Sequence, residues 1–65
     1  MDGRKRNNIE IGQVVLVVEK HNQKTGVLTK GIVAKILTNS KHHPHGIKVM
    51  LEDGTVGRVK KSVEL

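Results

Sequence analysis

The hydrophobic positions fall into short runs divided by glycine and polar clusters, and each run has the period or composition of a strand. Residues 13–20, QVVLVVEK, are β-branched and apolar, set between Gly12 and the polar HNQKTG. Unbroken apolar character over this length predicts a strand buried on both faces, or one that bends so that each face meets the core in turn. Four valines disfavour a helix here. Residues 26–38, GVLTKGIVAKILT, predict a second, longer strand interrupted at Gly31, since a glycine inside a strand pattern signals a bulge or a sharp bend. Residues 46–52, GIKVMLE, alternate cleanly, with Ile47, Val49 and Leu51 on one face and Lys48 and Met50 on the other. TVGRV, 55–59, is the expected hairpin partner, and KKSVEL is read as a turn and a last short strand.

The hairpin register follows from the apolar face. Asp53-Gly54 ordinarily suggests a two-residue turn, but that register sets Val49 opposite Arg58. A three-residue loop with Gly54 in the left-handed region instead pairs Leu51 with Thr55, Val49 with Gly57 and Ile47 with Val59, and the apolar face is continuous. A slip of one residue moves every side chain to the wrong face, so the bulged loop is expected. It places Lys48 and Arg58 opposite each other on the outer face. Two like charges across a ladder are mildly destabilising, and an anion between them would explain the pair.

Four or five short, bent strands in so small a chain predict an all-β fold, a small antiparallel SH3-like barrel. Closure removes the exposed edges that a basic β-protein must otherwise guard. The expected organisation is a flexible basic arm over residues 1–8 and a single barrel domain over 9–65. A chain of 65 residues buries only about 60% of the surface that its unfolded form exposes, so the core must be compact.

Composition narrows the function. Phe, Tyr and Trp are absent, so the core is aliphatic, and neither an aromatic cage for methylated lysine nor an aromatic platform for stacked bases can form. Cysteine is absent as well, which removes disulfides, thiolate metal ligands and a cysteine nucleophile. No apolar run approaches the length of a membrane helix. The opening MDGRKRNN has no hydrophobic stretch of signal-peptide type behind it, so a cytoplasmic setting is expected. The formal net charge of +6 favours polyanionic partners, RNA, DNA or an acidic protein surface, over a basic surface kept for solubility alone.

Candidate chemistry centres on SKHHPHGIKV, 40–49. A zinc site needs three or four ligands. His43 and His45 can share a face, but His42 then points away, and no acidic residue has ligand-like spacing to this loop. No metal or other cofactor is therefore expected. Catalysis is not expected either, because a histidine acid or base needs an orienting partner and a pocket. Two readings remain. In one, Pro44 and Gly46 simply shape a turn, Pro44 holding His43 extended and Gly46 supplying a positive φ. In the other, His43 and His45 form a contact loop that supplements a basic face. That face would hold Lys48, Arg58 and Lys60, with Lys61 beside them. Arg4, Lys5 and Arg6 form a separate basic cluster in the arm.

The stretch HPHGIKVMLEDGTVGRV, 43–59, with TGVLTKGIVAKILT before it, resembles the YwbE-like family of small, uncharacterised bacterial proteins. The likeness runs from about Ile9 to Val59 and is most specific in His43-Pro44-His45-Gly46, IKV and LEDGTVGRV. The likeness is not carried through KKSVEL. The resemblance implies a small KOW-like, SH3-like barrel, a class associated with ribosomes, RNA and transcription factors. It places His43, Pro44, His45, Gly46 and Arg58 in a family motif and leaves His42 outside. The expected function is a non-enzymatic RNA-binding module acting through His43, His45, Lys48, Arg58 and Lys60 with weak sequence specificity. The alternative is a protein-interaction adaptor for an acidic partner.

Overall fold

The structure, a computed structural model, describes Arg4 and residues 8–63. Its strands are β1 (Val14–Glu19), β2 (Thr29–Ile36), β3 (Lys48–Leu51) and β4 (Val56–Ser62). Each pairs antiparallel with the next, and β4 returns to β1 to close the barrel. A 3-10 turn, Lys20–Asn22, begins the β1–β2 connection, and no α-helix occurs among the described residues. This is the small all-β antiparallel barrel that the strand pattern predicts. No helix among the described residues is long and apolar enough to cross a membrane.

The core is wholly aliphatic. Val15 and Val17 of β1 meet Val33 of β2, Val49 and Leu51 of β3 and Val59 of β4, with Ile47 and Ile9 completing the cluster. Burying one such side chain contributes about 1.5–3 kcal/mol relative to leaving it in water. The segment before β1 is tied to β2 by two backbone bonds. Gly12 N–H donates to the Val33 carbonyl at 2.8 Å, and Val33 N–H donates to that of Gln13 at 2.9 Å.

The β3–β4 hairpin takes the bulged register. Lys48 lies opposite Arg58, Val49 opposite Gly57 and Met50 opposite Val56. Leu51 N–H donates to the Thr55 carbonyl at 2.7 Å, and Val59 N–H to that of Ile47 at 2.9 Å. Gly54 has φ +91°, the conformation the loop requires of it. Asp53 Oδ1 accepts the Thr55 N–H at 2.9 Å, and hydrogen bonding to Thr55 holds the Asp53 carboxyl below its ordinary range.

Other expectations are corrected. The second strand starts at Thr29, because Gly26 (φ +70°) closes a turn by donating its N–H to the Asn22 carbonyl at 2.8 Å. Gly31 does not interrupt the ladder and pairs in register with Val15; the break in β2 lies between Val33 and Lys35. What Gly31 provides is clearance, since a Cβ there would land on Leu51 Cδ1. Residues 60–62 form no separate strand. They continue β4, and because Val17 pairs with Val59 while Leu16 pairs with Lys61, Lys60 is left as the extra residue of a bulge. The arm expected over residues 1–8 falls mostly outside the described residues. Of its basic cluster, Arg4 is placed, and its carbonyl accepts the His43 N–H at 2.8 Å.

Candidate nucleic-acid interface

His43-Pro44-His45-Gly46 is a built turn. Pro44 takes the second position, where its fixed φ is favoured, and Gly46 N–H closes the turn on the His43 carbonyl at 3.0 Å. Gly46 then leads into β3 with φ +102°. Turn chemistry thus explains Pro44 and Gly46, and the histidines are held by further bonds. His43 Nδ1 accepts the His45 N–H at 3.2 Å, and the two rings stand 5.8 Å apart, tilted by 48°.

β4 clamps this turn from the side. Arg58 Nη1 donates to the Gly46 carbonyl at 3.1 Å, and Lys60 Nζ donates to the His45 carbonyl at 3.1 Å. The bulge gives Lys60 its place outside regular alternation. A guanidinium has five N–H donors, and the bond to Gly46 occupies one. Lys48, exposed on the neighbouring strand, faces Arg58 across the ladder, and its backbone N–H donates to Thr38 Oγ1 at 2.7 Å.

Partial desolvation, followed by the positive charge of Arg58 and the neighbouring His45 and His42, lowers the His43 pKa below its ordinary value of 6.5. Protonating Nδ1 would also break its bond to His45 N–H. Because the folded state binds this proton less readily than the unfolded chain, the stabilisation is complete above the unfolded pKa. It is lost as pH falls through the folded value. An NMR titration of the ring protons should therefore give His43 a midpoint below the ordinary value. A midpoint at or above it would show that desolvation and the charge of Arg58 do not act on this ring.

Two contiguous depressions open on the outer face of β4. The first, about 460 Å³, is lined by Val18, Gln23, Gly26, His45, Arg58 and Lys60. The second, about 430 Å³, shares Val18, Gln23 and Arg58 with it and adds Lys20, Lys48, Val56 and Gly57. Together they form one groove with Arg58 at its middle and no acidic residue in its lining. The turn holding His45 forms one wall, and the β1–β2 connection, bearing Lys20, Gln23 and Gly26, forms the other. Val18 belongs to the floor. It lies outside the inner core cluster, yet only 6% of it is exposed.

Of the five residues expected to make contacts, His45, Lys48, Arg58 and Lys60 line the groove. His43 does not, but its ring nitrogen supports His45. His42 is exposed and absent from the lining, as is Lys61, which pairs with Leu16 beyond the bulge. Sequence reasoning missed Lys20, Gln23, Gly26 and Val18. The sequence carried no clear signal for them: with strands read over 13–20 and 26–38 the connection looked like an ordinary hairpin loop, and it lengthens only because β2 starts at Thr29. No three His, Cys, Asp or Glu residues converge as metal ligands among the described residues.

No solved structure matches the chain. The chain is 56% identical over 63 residues to the uncharacterized protein YwbE of Bacillus subtilis (strain 168), covering 97% of each chain. Residues 2–62 match the model of a family described as "Uncharacterized conserved protein (DUF2196)", so the likeness extends beyond the expected Ile9–Val59 at both ends and takes in the start of KKSVEL. Since that match takes in the barrel, the HPHG turn and all the groove residues, it is to this family that the chain belongs.

Proposed function

We propose that the chain is a non-enzymatic RNA-binding module of KOW-like type, working in the cytoplasm on ribosomal RNA or transcripts. The observation that carries this reading is the groove centred on Arg58. Lys20, Lys48, Lys60 and His45 surround that guanidinium, and no carboxylate in the lining neutralises them. Cations set at this density repel one another unless solvated, and a chain of phosphates would relieve all of them together. The opposed Lys48–Arg58 pair supports the same reading, because an anion beside both offsets its cost to the ladder. Phosphate contacts then supply most of the affinity, which falls steeply with salt.

The test uses the absence of aromatic residues. The protein scarcely absorbs where nucleic acid does, so RNA that co-purifies from a preparation made without nuclease is read directly from the ultraviolet spectrum. Titration of RNA oligomers at low salt should shift the backbone NMR signals of Lys20, Lys48, Arg58 and Lys60 together. If no nucleic acid co-purifies, RNA moves none of these signals and polyglutamate does move them, the chain is an adaptor for an acidic protein instead.

A further inference from the structure

The groove contains more than cations, and the arrangement of its remaining residues bears on the form of RNA it takes. Cationic side chains stand at three stations: Lys60, beside His45, at one end, Arg58 with Lys48 opposite it in the middle, and Lys20 at the other end. Between the stations lie two spaces of about 460 and 430 Å³, both bordered by the apolar surface of Val18 and by the exposed amide of Gln23. Val56, 37% exposed, adds further apolar surface to the second space.

A duplex has little to place in these spaces, because it presents its phosphates and keeps its bases paired inside. A single strand alternates one phosphate with one nucleoside and can splay its bases outward. Its repeat of charge and uncharged ring matches the order cation, space, cation, space, cation. The Gln23 amide carries both a donor and an acceptor and so can pair with a base edge. With no aromatic side chain in the chain, a base in either space meets aliphatic carbon and an amide and gains no stacking platform.

Resting on the RNA reading above, we infer that the groove takes single-stranded RNA, with one phosphate on Arg58 and one nucleoside in each flanking space beside Val18 and Gln23. Bulk electrostatics favours the opposite choice. Counterion release per phosphate neutralised is larger for a double helix than for a single strand, with salt slopes of about 0.9 against 0.7 per contact. A preference for single strands must therefore come from contacts to the nucleosides.

The experiment compares fluorescein-labelled single-stranded RNA of about ten nucleotides with an RNA hairpin stem of equal phosphate count, by anisotropy at one low salt concentration. The full chain should bind the single strand about tenfold more tightly. Gln23→Ala, in an exposed loop, should weaken single-strand binding about threefold and leave the stem unaffected, while Lys48→Ala weakens both. Equal or tighter binding of the stem, or an equal effect of Gln23→Ala on both ligands, overturns the single-strand assignment and leaves RNA binding intact. Binding of neither RNA overturns both.

Discussion

Gly46→Ala is expected to lower stability by at least about 2 kcal/mol, with a fall in Tm of about 10 °C for a domain of this size. Two independent causes add. The residue sits at φ +102°, which an L side chain rarely adopts, and a Cβ there would collide with the Val59 carbonyl oxygen, a backbone atom inside the β3–β4 ladder. Gly54 separates the causes. Its φ is +91°, but a Cβ there would meet nothing within 4 Å, so Gly54→Ala should cost only the conformational strain, about 1 kcal/mol. Thermal and urea unfolding of the two variants provide the measurement. Equal losses would mean that Val59 yields to the new methyl group and that the close approach of the turn to β4 is not a constraint. A larger loss for Gly46→Ala places the HPHG turn among the elements that hold the barrel together. That matters for function, because the same turn carries His45 into the groove.

The two glycine-rich features of the sequence differed in how well they could be read. The β3–β4 hairpin was legible to the residue, because only one register gives Ile47, Val49 and Leu51 a continuous apolar partner face. Gly31 was read as a bulge or a bend; the β1–β2 ladder runs through it unshifted, and the clearance it gives depends on Leu51, a residue on another strand that no local pattern connects to it. The candidate site divides along the same line. Lys48, Arg58, Lys60 and His45 sit on or beside one hairpin, so alternation and turn chemistry bring them together before any tertiary structure is known. Val18, Gln23 and Lys20 reach them only when β1 pairs with β4 to close the barrel. Within its own run Val18 is one valine among four, and periodicity cannot tell a valine of the inner core from one flooring a groove. The bulge at Lys60 was hidden for the same reason, since a bulge shows only when the partner strand is in place.

Arg58 has two tasks, and the variants at this site must separate them. It holds the Gly46 carbonyl and it occupies the middle of the groove, so Arg58→Ala loosens the turn as well as removing a charge. Lys48 has no such second task in its side chain, and it stands opposite Arg58 as a like charge. Lys48→Ala should therefore leave the free protein as stable as before or a few tenths of a kcal/mol more stable, while RNA affinity falls about tenfold. The logarithmic salt slope should fall by about 0.7, one phosphate contact to a single strand. Arg58→Ala should weaken RNA binding by a similar or greater factor and lower Tm. With both residues replaced, the loss depends on what they touch. If they grip separate phosphates, the effects multiply to about a hundredfold and the slope falls by about 1.4. If one phosphate bridges the pair, removing the second cation costs less than removing the first, and the double variant falls short of the product. Filter binding or anisotropy across a salt series measures both quantities, with unfolding curves alongside. A double variant whose affinity and salt slope match the unchanged protein would move the interface away from β3 and β4 altogether. Weakened binding joined to unimpaired stability in Lys48→Ala would instead mark Lys48 as a residue kept for a ligand, at a small cost to the ladder that carries it.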